Sequence, residues 1–247
     1  MNRIVLASSS PSRLMVLRNA GVEPDVVKPD VDEDAIVADL LAASPEASPA
    51  DIVCALAEAK AVDVVARVGG TEPGAAAGAE SGAAAGAESG AATGTEPGAA
   101  AGATVVIACD SMLLLDGELS GKPHTVDETV RRWRLQRGRA AEFVIGHSIT
   151  ALSDAPEGTR SATAAISTTV RFGEPSDADV RAYAESGEPL GCAGAFTLEA
   201  LGGWFIDGVD GDPSSVLGLS LPLIRRTFAG WGLDVSAFWN RASGAAG

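Results

Sequence analysis

Two charged side chains interrupt apolar segments of this sequence, where an unpaired charge is costly. Asp110 stands between the apolar runs of "VVIACDSMLLL", and Lys60 follows the helical spacing of the apolar residues in "CALAEAKAVDVV". A carboxylate in such surroundings must be hydrogen-bonded, paired with a cation or bound to a metal ion. The alternatives are a structural aspartate that satisfies a nearby turn and a lysine whose ammonium group extends to solvent.

The segment "LASSSPSR", residues 6–13, leaves a predicted strand and begins a helix at Pro11. Backbone N–H groups at a helix N-terminus attract anions, and the hydroxyl groups of Ser8 and Ser10 add donors. Ser10 as an ordinary helix cap explains the same pattern. Arg13 favours the anion site, because a cation is unfavourable in the first helical turn unless an anion lies nearby. The segment by itself supports both interpretations.

Two further segments contribute charges. Lys122 lies in "GKP", twelve residues after Asp110, in a turn that follows a predicted hairpin. This places a carboxylate and an ammonium group at the same edge of one sheet, where open α/β sheets bind their ligands. The acidic run "DVDED", residues 30–34, offers a carboxylate for a metal ion, although such runs are usually solvated surface.

Other familiar site patterns are absent from the sequence. The segment "DGVDGDPSS", residues 207–215, lacks the sixth-position glycine and the closing glutamate of a calcium-binding EF-hand loop. His124 and His147 are too few and too widely separated for a histidine zinc site, and no Ser-His-Asp arrangement stands out.

The elements that must position these residues alternate between strands and helices. The pattern predicts strands at residues 3–8, 24–29, 104–109, 111–118, 142–153, 160–172 and 202–209, and helices at 11–20, 49–68, 126–136, 177–185 and 220–231. A long hairpin sits among the alternating units. The sequence therefore predicts an α/β fold with a mixed β-sheet flanked by helices.

Composition narrows the class of protein. The 247 residues are 46% hydrophobic, which suffices for a packed core, and the formal charge of −15 argues against a nucleic-acid partner. The three widely spaced cysteines (Cys54, Cys109 and Cys192) fit reduced core residues, and no apolar run has the length of a membrane span. We therefore expect a cytoplasmic protein without a membrane partner.

One segment does not fit a packed core. Residues 72–103 form four octads of the type "EPGAAAGA", none of which contains a large apolar side chain. Such a segment buries too little surface to offset the entropy lost on ordering. We expect a flexible insertion within a single catalytic domain that spans residues 1–247.

Five blocks of the sequence, in order, resemble the Maf-like nucleoside triphosphate pyrophosphatases. The blocks are "LASSSPSRLMVLRNAG", "VDED", "AEAKA", "ACDSMLLLDGELSGKP" and the C-terminal segment from "GEPLGCAGAF" to "GLSLPLI". The resemblance covers the whole chain except the octad insertion. It implies two lobes around a nucleotide cleft, and hydrolysis of a nucleoside triphosphate to the monophosphate and pyrophosphate with a divalent metal ion, Mg²⁺ or Mn²⁺.

The resemblance also implies roles for individual residues. Asp110 would accept the proton of the attacking water and contact the metal ion, which Glu33 would also bind. The triphosphate would be held by Ser8, Arg13, Lys60 and Lys122. A homodimer is the family expectation. A nucleotide-binding regulator of septum formation with little catalysis is the alternative, although a pure binder has no need of the Asp110 carboxylate.

The sequence departs from the family pattern at several positions. Ser12 stands where the S-P-R-R pattern has an arginine, and the A-D-T motif reads Cys109-Asp110-Ser111. Glu199 replaces the glutamine of the pyrimidine-preferring branch, and G-L-P reads Gly218-Leu219-Ser220. Because Ser12, Ser111 and Glu199 coincide with positions that help set base preference, the resemblance does not imply which nucleotide is preferred. UTP or dTTP, a modified purine such as 7-methyl-GTP, and a broad range of substrates stay open, as does a role in removing non-standard nucleotides, which is a family-level association.

Overall fold

The computed structural model describes residues 2–69, 102–152 and 158–240. Its helices are α1 (Pro11–Asn19), α2 (Glu33–Ala43), α3 (Pro49–Val68), α4 (Val126–Gln136), α5 (Asp177–Glu185), α6 (Pro213–Val216) and α7 (Leu221–Gly230). Its strands are β1 (Arg3–Ala7), β2 (Asp25–Val26), β3 (Thr104–Leu115), β4 (Glu118–Ser120), β5 (Ala140–Leu152), β6 (Arg160–Phe172) and β7 (Ile206–Asp210). Most of the octad insertion lies outside the described residues; only Gly102 and Ala103 fall within them.

The described strands form one mixed sheet in the order β2-β1-β3-β5-β6-β7, with β4 paired to the end of β3. The pairs β1–β2 and β1–β3 are parallel, and the remaining pairs are antiparallel. The predicted α/β class with a mixed sheet and flanking helices is therefore confirmed.

The two faces of the sheet are covered by different helices. Alternate residues of β1 and β3, such as Leu6 and Ile107, belong to the larger core, which also contains residues of α1, α4, α5 and α7. The intervening residues, such as Val5 and Val106, pack against α3 in a smaller cluster. Because Asp110 continues the second set, strand alternation directs it to the face that α3 covers.

The predicted helices and strands require correction at several places, and the predicted strand at 24–29 is limited to Asp25–Val26. Residues 104–109 and 111–118 are not two strands, because β3 runs through Asp110 and stays paired with β5 along its length. Residues 201–205 form a 3₁₀ helix, so the predicted strand at 202–209 is confined to β7. Helix α2 was not predicted: its apolar face is short, and Ile36, Val37 and Leu40 on that face are only half-buried.

Candidate active site

A cavity of about 670 Å³ opens beside the end of β1 and the middle of β3. All the site residues predicted from the sequence line it, although they come from six separate segments of the chain. They are Ser8, Ser12, Arg13, Glu33, Lys60, Asp110, Ser111, Lys122 and Glu199. The volume is within the range of small-molecule binding pockets.

A gap in the sheet creates the floor of this cavity. Strand β1 pairs with β3 only as far as Ala108, and β4 occupies the same edge of β3 from Leu113 onward. Residues 109–112 therefore have no neighbouring strand on that side, whereas β5 pairs with the other edge throughout. The backbone groups exposed in the gap need partners, and Asp110 and Ser111 lie within it.

The loop between β1 and α1 contains a helix cap and also backbone donors that an anion could bind. Ser10 is the helix cap, because its hydroxyl accepts the Arg13 N–H at 3.4 Å. Ser8 is only 4% exposed, and its hydroxyl accepts the Ser10 N–H at 3.1 Å. Within the described part of the chain, the N–H groups of Ser9 and Ser12 have no acceptor. Two free backbone donors therefore remain at the N-terminus of α1.

The guanidinium group of Arg13 fills the gap in the sheet. Nη1 donates to the Cys109 carbonyl at 2.8 Å and to the Ser8 hydroxyl at 3.2 Å. Nε donates to the Gly218 carbonyl at 2.9 Å, and Nη2 to the Ser111 hydroxyl at 3.3 Å. A guanidinium has five N–H groups. Four of them are used within the protein, which leaves one N–H and the positive charge for a ligand.

Lys60 joins two carboxylates at the cavity wall. Its Nζ lies 2.5 Å from Asp110 Oδ1 and 2.7 Å from Glu33 Oε1. Lys60 and Asp110 are 5% and 7% exposed, so this lysine meets an anion and does not extend to solvent. Among the described residues, Asp110 Oδ2 accepts no hydrogen bond and is available to a ligand or water.

Glu33, the first residue of α2, is held at this cluster by its electrostatic surroundings. Partial burial raises the pKa of its carboxyl group. The hydrogen bond and charge of Lys60, with the charges of Lys122 and Arg13, outweigh that effect and bring the pKa below its ordinary value. Glu33 is therefore a carboxylate at neutral pH, with a side chain that is 44% exposed to the cavity and solvent.

Lys122 presents a further cation from a loop whose backbone is held by hydrogen bonds at Gly121. The Gly121 carbonyl accepts a hydrogen bond from Arg132 Nη1 at 2.6 Å and one from the Gly194 N–H at 3.2 Å. In the regions the structure describes, the Lys122 ammonium group has neither an ion-pair nor a hydrogen-bond partner. It is therefore free to meet an anion in the cavity.

The opposite wall, residues 196–202, is held by Glu188. Glu188 accepts the Thr197 hydroxyl, the Gly202 N–H at 3.0 Å and the Leu201 N–H at 3.1 Å. Partial burial raises the pKa of Glu188. The hydrogen bonds together lower this pKa by more than burial raises it, so the pKa lies below its ordinary value. Glu199 lies on this wall and is exposed.

The carboxylates suit a magnesium ion that is shared with a substrate. Within residues 2–69, 102–152 and 158–240, no three His, Cys, Asp or Glu side chains gather into a metal site. Mg²⁺ is usually bound through one or two carboxylates together with substrate phosphates, and the protein need not supply a full set of ligands. Asp110 and Glu33, both within 3 Å of Lys60 Nζ, fit that mode.

Sequence reasoning missed several residues that line the cavity. Lys28 follows β2, which is parallel to β1, so its place beside the β1–α1 loop could have been found from the topology. Thr197 and Cys192 carry no such local signal. Burial raises the pKa of the Cys192 thiol, and the charges of Glu199 and Glu188 raise it further. Cys192 is therefore not a thiolate nucleophile at neutral pH.

Comparisons with known sequences show the family of the chain. The model of the family described as Maf-like protein matches residues 3–231. A nucleoside triphosphate pyrophosphatase from Corynebacterium efficiens is 49% identical over 239 residues, which cover 97% of this chain and 100% of that protein. A protein of the same name from Corynebacterium diphtheriae is 51% identical over 237 residues, or 96% of this chain and 98% of the relative.

A third relative extends the comparison to another genus. A nucleoside triphosphate pyrophosphatase from Mycobacterium sp. (strain JLS) is 49% identical over 239 residues, which cover 97% of this chain and 99% of that protein. The family match includes every residue that was predicted for the site, from Ser8 to Glu199. The chain therefore belongs to the Maf-like protein family.

Proposed function

We propose that the chain hydrolyses nucleoside triphosphates to the nucleoside monophosphate and pyrophosphate. The observation that carries this proposal is the Lys60–Asp110–Glu33 cluster in a cavity that also holds Arg13 and Lys122. The names of the relatives support the same activity. Cations and backbone donors that converge on one cavity suit a polyphosphate, and a buried carboxylate with a free oxygen suits activation of water.

The phosphate chain is held by groups from both sides of the cavity. At the N-terminus of α1, the free N–H groups of Ser9 and Ser12 and the hydroxyl of Ser8 offer donors to phosphate oxygens. Lys122 supplies an unpaired cation from the loop after β4, and Arg13 supplies its charge and one N–H. Lys28 is a further cation on the cavity wall.

The chemical step uses the free oxygen of Asp110. A water molecule attacks the α-phosphorus while Asp110 Oδ2 accepts its proton. The bond between the α-phosphorus and the bridging oxygen breaks, and that oxygen leaves with pyrophosphate. Lys60 orients the carboxylate through Oδ1 and neutralises charge at the reaction centre.

A divalent cation, Mg²⁺ or Mn²⁺, completes the proposed site. When bound, it would neutralise charge on the phosphate oxygens and favour departure of pyrophosphate. Asp110 and Glu33 would hold it, because they are the two carboxylates at the Lys60 ammonium group.

Ser12, Ser111 and Glu199 are proposed to contact the substrate at the same cavity. Glu199 is exposed and carries an acceptor group, so it suits the hydrogen-bond donors of a nucleobase. Ser111 is already hydrogen-bonded to Arg13, and its contact with the substrate is through the remaining capacity of its hydroxyl group.

We further propose a cytoplasmic homodimer that acts without nucleic acid or a membrane. All three cysteines are free thiols, which suits a reducing compartment. No described helix is both long and apolar enough to span a bilayer. The homodimer rests on the family resemblance, and sedimentation or light scattering of the purified protein tests it.

The reaction products test the proposed function. The purified protein is incubated with ATP, GTP, CTP, UTP and dTTP in the presence and absence of Mg²⁺, and the phosphorus-containing products are quantified. Equal amounts of monophosphate and pyrophosphate are expected with at least one nucleotide. Release of orthophosphate contradicts the proposal, and binding without turnover supports the regulator of septum formation instead.

Asp110→Asn tests the assignment of the proton acceptor. The variant keeps the size of the side chain but removes the charge, and kcat is expected to fall by at least about 100-fold. Asp116→Asn is the matched control, since Asp116 is exposed in the β3–β4 turn and pairs only with Arg139 among the described residues. A wild-type kcat for Asp110→Asn, with the control also unchanged, contradicts the assignment.

A further inference from the structure

The Gly218 carbonyl, which accepts the Nε–H of Arg13, belongs to a segment with little freedom. Gly218 has a φ of +104°, and a Cβ added there would lie 3.1 Å from Arg13 Cγ. Any other residue would strain the backbone and press against Arg13. The direction of this carbonyl therefore depends on what holds the chain next to Gly218.

Ser220, two residues later, is the buried anchor of that segment. Its hydroxyl donates to Asp212 Oδ2 at 2.5 Å and accepts the Leu223 N–H at 3.2 Å, as the cap of α7. Both partners lie in the same C-terminal part of the chain. The Ser220 N–H instead donates to His147 Nε2 at 2.8 Å, and this bond ties the segment to the central sheet.

His147 lies in the middle of β5 and is fully buried. It is paired with Cys109 of β3. The Cys109 carbonyl accepts a hydrogen bond from Arg13 Nη1 at 2.8 Å. Since Nε2 accepts a hydrogen bond, the ring is neutral and carries its proton on Nδ1. Burial, and then the charge of Arg13, lower the pKa of His147 to about 4, which agrees with a neutral ring.

We propose that His147 is a positioning residue for Arg13. It accepts the Ser220 N–H, fixes the Gly218 carbonyl and thereby holds the Arg13 guanidinium group against the cavity. His147 does not line the cavity, so it acts through Arg13 and not on the substrate. The consequence for catalysis rests on the proposed function; the consequence for the Arg13 side chain does not.

Two substitutions separate the hydrogen bond from the volume of the ring. His147→Leu removes the acceptor and leaves the buried Ser220 N–H unpaired, whereas the side-chain carbonyl of His147→Gln reaches the position of Nε2. We expect kcat/KM to fall about tenfold in His147→Leu, mainly through KM, and to recover in His147→Gln. In an Arg13→Lys background, His147→Leu is expected to lower kcat/KM no further.

Hydrogen exchange of the Arg13 Nε–H tests the same inference without any turnover. Its NMR signal, assigned by its loss in Arg13→Lys, is expected to exchange slowly in the wild-type protein and in His147→Gln. In His147→Leu, exchange is expected to be at least about tenfold faster at the same folded fraction.

The outcomes distinguish this inference from the proposed function. Unchanged exchange of the Arg13 Nε–H in folded His147→Leu overturns the positioning role, as does an equal loss of kcat/KM in the wild-type and Arg13→Lys backgrounds. If the wild-type protein releases no pyrophosphate, the proposed function fails, and the exchange measurement still decides the role of His147. If His147→Leu does not fold, His147→Gln compared with His147→Asn, whose shorter carbonyl misses Ser220, replaces it.

Discussion

At the scale of residues, the site is a set of charges that stabilise one another before any ligand binds. Lys60 is almost completely buried between Asp110 and Glu33. Removal of Lys60 would leave the buried Asp110 carboxylate without its cation, which costs more than the intact ion pair contributes. The same lysine is thus needed for the fold as well as for the proposed chemistry.

Lys60→Met tests this coupling. The methionine fills similar space but leaves Asp110 without its cation, so we expect the free energy of unfolding to fall by about 3 kcal/mol in a urea titration. Lys28→Met is the matched control: Lys28 is exposed and has no ion pair among the described residues, so its loss is expected to stay within about 0.5 kcal/mol. Equal stability of the two variants contradicts the coupling.

The sequence predicts some residues of the site better than others. Asp110 and Lys60 could be found because each breaks a local apolar pattern, and that signal survives without a structure. His147 and Glu188 carry no such signal. His147 meets a backbone N–H 73 positions away, and Glu188 meets the wall 196–202 through backbone donors. Contacts of this kind depend on how loops return to the sheet.

At the scale of elements, the position of Lys60 depends on how closely α3 approaches β5. Gly146 of β5 is paired with Asp110 of β3, and it faces the backbone of α3 at Val53 and Cys54. A Cβ at Gly146 would overlap the Val53 carbonyl and lie 2.6 Å from the Cys54 nitrogen. A glycine is therefore required for the helix to reach the sheet.

Gly146→Ala tests this approach. Because backbone atoms must move, we expect the free energy of unfolding to fall by about 3 kcal/mol, together with kcat/KM, since α3 also carries Lys60. Gly230→Ala is the control, because nothing lies within 4 Å of its added Cβ. That variant is expected to stay within about 1 kcal/mol of the wild type, on the side of greater stability. A wild-type stability for Gly146→Ala would falsify the argument.

Most helices and strands followed from local patterns, and the exceptions have physical causes. Residues 126–136 and 160–172 were predicted with the bounds that the structure has. Helix α2 was missed because its apolar face is short and only half-buried. The strand break at Asp110 was predicted wrongly because a polar residue normally ends an apolar run. In this fold the polar residue remains inside the strand, where it meets Lys60.

At the scale of the whole molecule, His147 makes stability depend on pH. Its pKa in the folded state is about 4, below the ordinary value of 6.5. Between these values the unfolded chain binds a proton that the folded protein does not, so stability falls as the pH is lowered. The contribution is fully present above pH 6.5 and is lost as the pH falls toward 4.

Urea titrations from pH 7 to pH 4 measure this contribution. The wild type is expected to lose roughly 3 kcal/mol more than His147→Gln over that range, because the variant lacks the titrating ring. All other titratable groups are shared by the two proteins and cancel in the difference. Parallel stability curves would show that His147 does not titrate below its ordinary range.

The flexibility of the octad insertion, residues 72–103, stays a prediction. We expect replacement of residues 72–101 by a short Gly-Ser linker to keep activity and to shift the midpoint of thermal unfolding by less than about 3 °C. Ala103 must be retained, because its carbonyl accepts the Arg3 N–H at 2.9 Å and its N–H donates to Asn2 Oδ1 at 2.8 Å. A large loss of thermal stability in the replacement variant would show that the octads are packed against the domain.

The central claim is that water attacks the α-phosphorus beside Asp110. Single-turnover hydrolysis of the preferred nucleoside triphosphate in ¹⁸O-labelled water, followed by mass spectrometry of both products, tests it most directly. One labelled oxygen in the nucleoside monophosphate and none in pyrophosphate is the predicted result. Label in pyrophosphate or in released orthophosphate would contradict the account, because the attack would then have occurred at another phosphorus.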